Sequence, residues 1–129
     1  MRKAGETNAF EHRLIDVDIL KQTLPNLEEA LTLLVRFKPT LIEEMNDIER
    51  GLVQEGLETV RFHTHRIRSG SLYLGIEGVG LSATQLEELI ENQAPRDEIL
   101  AAWSLLRKAC RRFLSHDPAG LESLIAGLR

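Results

Sequence analysis

The chain has 129 residues, enough for one ordinary domain with one continuous core. Its 43% hydrophobic and 28% charged content excludes a disordered chain, and the scarcity of aromatics leaves the core to Leu, Ile, Val and Ala, a composition suited to helix-on-helix packing. A formal net charge of −4 argues against bulk attraction to nucleic acid or to an anionic membrane.

Residues 1–13 are polar, lack the apolar stretch of a secretory leader, and predict a flexible arm. A short helix is expected over Leu14 to Leu24, ended by Pro25. Asn26 with Glu29 three places on resembles a capping box opening a long helix. Within it Leu27, Leu31, Leu34, Leu41, Met45, Ile48 and Leu52 recur at steps of three, four and seven, forming one stripe. Pro39 should kink or split this helix, and Gly51 and Gly56 punctuate its end. The next helix is predicted from Leu57 to Leu74, with Leu57, Val60, Ile67 and Leu74 as apolar positions and Gly75 as the stop.

A further helix carries Val79, Ala83, Leu86 and Ile90 on one face, weakened by Gly78 and Gly80 at about 1 kcal/mol each relative to alanine. Pro95 stands near the start of another, whose stripe is Ile99, Trp103, Leu106, Cys110 and Phe113. Leu121 to Leu128 add a short helix. No run approaches the length of a membrane span. Amphipathic helices joined by short connections imply an all-α fold: an antiparallel four-helix bundle with a short additional N-terminal helix, spanning residues 14–129.

His65 has the most informative surroundings. At about 100° per residue, Arg61, Arg68, Ser69 and Leu72 share its side of the helix, while Val60, Ile67, Ser71 and Leu74 fall opposite. The ring therefore points to solvent, and Phe62 and Leu72 beside it suggest a docking patch. His63 lies about 200° away, so the two rings cannot share a metal ion. It is expected to be packed and hydrogen-bonded, and no metal site is predicted. His12 and His116 have no ligand-like company. Cys110 is expected to be a small buried thiol, and Arg107, Lys108, Arg111 and Arg112 a solvated helix face. There is no glycine-rich phosphate loop, hence no ATP site.

The run His65-Arg66-Ile67-Arg68-Ser69-Gly70-Ser71-Leu72-Tyr73-Leu74-Gly75 resembles the signature of histidine-containing phosphotransfer (HPt) domains. Phe37 and Pro39 before it, and Val79, Ala83, Leu86 and Glu87 after it, resemble the family's flanking pattern, so the likeness covers about Leu14 to Leu114. It implies a phosphorelay intermediate, with His65 as phosphoacceptor and Arg68, where the family usually has lysine, stabilising the phosphoryl group. Arg61, Phe62, Ser69 and Leu72 would dock the receiver.

Such a chain is a phosphocarrier, not an enzyme with its own nucleotide site. It needs no cofactor of its own; Mg²⁺ is expected on the partner receiver domain. The implied partners are response-regulator receiver domains and a hybrid sensor kinase, and the expected state is a free-standing cytoplasmic monomer. Histidine's reference pKa near 6.5 leaves much of the ring neutral and nucleophilic at pH ~7. Arg61 and Arg68 are expected to disfavour the imidazolium and to offset the incoming phosphoryl charge. Ser69 and Gly70 are expected to leave room for a partner's loops. Ser69 stands where the family prefers glycine, which keeps a second reading open: a degenerate HPt that docks a receiver or kinase without being phosphorylated.

Overall fold

The computed structural model describes residues 13–23 and 26–127. Six α-helices follow one another among them: α1 (Val17–Thr23), α2 (Leu27–Arg50), α3 (Leu57–Tyr73), α4 (Glu77–Glu91), α5 (Arg96–Leu114) and α6 (Pro118–Gly127). The arm over residues 1–12, the end of the first predicted helix at Leu24 and Pro25, and Leu128 lie outside the described residues.

Helices α2 to α5 make the four-helix bundle, with α3 packed between α2 and α4, and α5 closing on α4 and α2. Their connections are a few residues long, so successive helices run in opposite directions. Arg96 at the start of α5 donates to the Leu52 carbonyl just past the end of α2 (3.0 Å), and Lys38 within α2 donates to the carbonyl of His116 beyond the end of α5. Helix α1 lies against α3, and α6 covers part of α2.

The predicted stripes form the core. Leu34, Leu41 and Ile48 of α2, Val60 and Ile67 of α3, Val79, Ala83 and Leu86 of α4, and Leu106, Cys110 and Phe113 of α5 are all fully buried. Leu27, Leu31 and Met45 pack at the margin of this core, whereas Leu57, at the open end of α3, is exposed. Burial pushes the Cys110 thiol up to about 12, as suits a packing residue.

Several local expectations change. Asn26 caps α2 by accepting from the backbone N–H groups of Glu28 and Glu29 (2.8 and 3.3 Å). Pro39 does not split α2, which runs unbroken from Leu27 to Arg50. Gly51 is not the stop either: its φ of −62° is helical, and the chain continues as one wider π turn over Gly51–Glu55. Glycine is needed there because a Cβ would come within 2.8 Å of the Val60 side chain. The stop is Gly56, at φ 98°.

Gly75 ends the α3 region at φ 71°, and a Cβ on it would meet the Asp16 carbonyl at 2.7 Å. The Asp16 N–H donates to the Gly75 carbonyl (2.6 Å). Arg13, grouped with the arm by its sequence, is tied down here: its N–H and guanidinium donate to Glu77 at 2.9 and 3.3 Å. Gly80, a weak helix former, lies inside an intact α4, where Leu72 of α3 packs onto its bare backbone. The close α3–α4 approach is what brings Glu87 under His65.

Candidate phosphotransfer site

The α3–α4 pair sets the geometry of the site. His65 projects from the outward side of α3, with 54% of its side chain exposed. Glu87 is one of the positions of α4 that face α3, and only 3% of its side chain is exposed. The two meet as a hydrogen bond of 2.8 Å from His65 Nδ1 to Glu87 Oε2. A carboxylate can only accept, so the Nδ1 hydrogen lies in this bond and, in the neutral ring, Nε2 carries the lone pair outward.

The other Glu87 oxygen accepts from Arg68 at 2.7 Å. One buried carboxylate thus holds the ring of His65 and the guanidinium one turn further along α3. Burial pushes the Glu87 carboxyl up, but the hydrogen bonds from Arg68 and His65, with their charges, outweigh it. The net result lies below the ordinary value of 4.5. The same hydrogen bond raises the Arg68 pKa.

These contacts correct one expectation. Arg61 and Arg68 do not stand as bare cations beside the imidazole. Arg61 turns back to Glu58, one turn earlier, at 2.6 and 3.0 Å, and Arg68 is held by Glu87. Ser69 does share the face of His65, with Oγ 3.5 Å from Nε2, at the outer limit of a hydrogen bond. Gly70 also permits a close approach inside the bundle: a Cβ there would come within 2.6 Å of the Phe37 ring of α2. Phe37 in turn packs on Phe113 of α5, with ring centroids 6.5 Å apart.

Phe62 and Leu72 are both exposed, as the helical offsets require, and Ile19 and Leu81, also exposed, line one surface depression with Leu72. Phe62 is not free-standing, since Arg66 lies over its ring at 5.7 Å. His63 faces away from His65, toward α2, where Glu44 takes its Nδ1 at 2.5 Å. The two histidines therefore share no ion, and His63 is packed and hydrogen-bonded as its register requires. Among the described residues, grouped ligand-type side chains occur at Glu44, Asp47 and His63, not at His65.

Residues 32–126 match the family model described as Hpt domain, and these residues include α3, α4 and the His65–Glu87 contact. The chain belongs to the Hpt domain family. No curated protein and no solved structure matches it. Hpt domains are helical bundles that serve phosphotransfer in two-component systems as phosphocarriers, and they engage response-regulator receiver domains. The family match begins inside α2 and extends into α6, so it reaches further toward the C-terminus than the motif-based likeness. No described helix is long and apolar enough to cross a membrane.

The residue that sequence reasoning passed over is Glu87. The sequence places it in the flanking pattern that follows the histidine motif and assigns it no role. Its register carried the signal: it stands four places after Ala83 and three before Ile90, on the apolar face of α4. A carboxylate at such a position needs a partner, because burial of an unpaired charge is strongly unfavourable.

Proposed function

We propose that this Hpt domain carries a phosphoryl group on Nε2 of His65. The observation behind this reading is the hydrogen bond that ties Nδ1 to a buried carboxylate, and so aims the Nε2 lone pair at solvent from a rigid helix. A receiver domain's aspartyl phosphate is the donor. Nε2 attacks phosphorus, the N–P bond forms, the acyl O–P bond breaks, and the receiver's aspartate leaves as a carboxylate. No proton must depart, because the ring keeps its Nδ1 hydrogen and becomes cationic. Glu87 then faces a positive imidazolium, which a carboxylate stabilises better than it does the neutral ring.

Arg68 is the group that answers the phosphoryl charge. It is partly exposed and held by one oxygen of Glu87, so it can swing toward a phosphate one turn back along α3 while staying near that carboxylate. Phe62, Leu72, Arg61 and Ser69 form the surface that meets the receiver, and Mg²⁺ belongs to the partner. A second receiver takes the group by the reverse step. The competing reading, docking without phosphorylation, rests on Ser69 beside Nε2.

Transfer from pre-phosphorylated receivers to wild type, H65Q and H63Q separates the two. Acid-labile, base-stable label on wild type and H63Q, and none on H65Q, is expected. Receiver binding without label on any variant would favour the docking module.

A further inference from the structure

A second histidine cluster lies on the opposite side of α3, and it plays no part in the reading above. Glu44 and Asp47 stand one turn apart on α2 and meet His63 of α3. His63 Nδ1 is 2.5 Å from Glu44 Oε2 and 3.7 Å from Asp47 Oδ2. All three potential ligand atoms lie within 4.8 Å of one another. The Glu44 side chain is only 8% exposed, so the group sits in the α2–α3 seam and not on a solvated acidic face.

The carboxylates divide their oxygens between two directions. Arg66 holds Glu44 through Oε1 at 2.8 Å, and Arg50 holds Asp47 through Oδ1. The remaining oxygens, Oε2 and Oδ2, both face His63 Nδ1. Both arginines are largely exposed and approach the carboxylates from the solvent side, away from His63.

We propose that Glu44, Asp47 and His63 form a site for a divalent transition ion of the zinc type. One imidazole nitrogen and two carboxylate oxygens are ligand types that zinc accepts, at about 2.0–2.2 Å each. Ligands at that range in a tetrahedron stand about 3.4 Å apart. The His63–Asp47 separation of 3.7 Å is already near this, and the His63–Glu44 pair must open by side-chain rotation. The ion takes the place of the hydrogen between Nδ1 and Oε2: the ring binds as the neutral tautomer with its hydrogen on Nε2, reached by moving the Nδ1 proton to Nε2 or, from the imidazolium, by releasing it to solvent. Water completes the coordination. Arg66 and Arg50 stay on the outer oxygens and orient the carboxylates, while their charge moderates the affinity. Such an ion clamps α2 to α3 two residues before His65.

The test is calorimetric titration of the metal-free full chain with Zn²⁺, alongside H63A, D47N and H65Q. The expected result is one saturable site per chain, kept in H65Q and weakened at least about tenfold in H63A and in D47N. Thermal melts without metal show whether each variant is folded. Co²⁺ in place of Zn²⁺ should give a visible absorption spectrum in wild type and H65Q that H63A abolishes. Zn²⁺ affinity that is the same in H63A as in wild type, loss of the site in H65Q, or no saturable binding at all would overturn the proposal.

Discussion

Glu87 offers the sharpest perturbation, because its two oxygens serve different partners. Oε2 takes His65 Nδ1 at 2.8 Å and Oε1 takes Arg68 at 2.7 Å. Glutamine keeps one acceptor and turns the other oxygen into a donor. E87Q can therefore serve both Arg68 and His65 only by forcing the ring into the tautomer with its hydrogen on Nε2, which removes the outward lone pair, and otherwise leaves one partner unserved. A hydrogen bond to a charged group contributes about 1.5–3 kcal/mol net. With His65 54% exposed and Arg68 38% exposed, water replaces much of what is lost, and the lower end applies. E87Q should therefore cost about 1–2 kcal/mol of stability, and E87A somewhat more because it also empties a buried volume.

The effect on transfer should exceed the effect on folding. A ring freed to change rotamer no longer aims Nε2, and a misplacement of about 1 Å in a reacting group can cost about a hundredfold. Rapid-quench transfer from a phosphorylated receiver should be slowed about a hundredfold in E87A and about tenfold in E87Q. Receiver affinity, measured separately, should change little. An E87A rate equal to that of wild type would refute the orienting role of this carboxylate.

Other consequences can be checked with the same material. R68A should shorten the phosphohistidine lifetime or slow transfer about tenfold, the equivalent of about 1.4 kcal/mol, as radiolabel decay and quench data would show. G70A places a methyl group 2.6 Å from the Phe37 ring and should destabilise the bundle by about 1–3 kcal/mol in urea titrations. The Glu87 carboxyl, held below its ordinary 4.5, stabilises the fold above its unfolded-state pKa, and this contribution fades as pH falls through the lower folded-state value. Urea midpoints measured across the acid range should accordingly drop less steeply in E87Q than in wild type.

The bundle was legible because its stripes are regular. Steps of three and four at Val79, Ala83, Leu86 and Ile90, or Ile99, Trp103, Leu106, Cys110 and Phe113, admit only one buried face. The outward direction of His65 followed from the same arithmetic, as did the separation of His63 from it. What periodicity does not carry is the pairing of charges between helices. Arg68 lies near His65 by helical offset, yet its partner is set by α4, 19 residues away in sequence. Glu44 and Glu87 occupy apolar-register positions, and the histidines they serve depend on how α2 and α4 pack on α3. Glycines misled for a related reason: Gly51, Gly70 and Gly80 permit close side-chain contact from a neighbouring helix, while Gly56 and Gly75 reverse the chain.

Whether His65 Nε2 bears the phosphoryl group is decided most directly by locating it. The protein would be phosphorylated by a receiver domain at neutral pH, digested under alkaline conditions and sequenced by mass spectrometry, with ³¹P NMR of the intact protein to identify the nitrogen. A single phosphohistidine at His65 with the Nε2 chemical shift, and no signal in H65Q, is the expected result. Phosphate on His63 or on another residue, or at Nδ1 of His65, would contradict it.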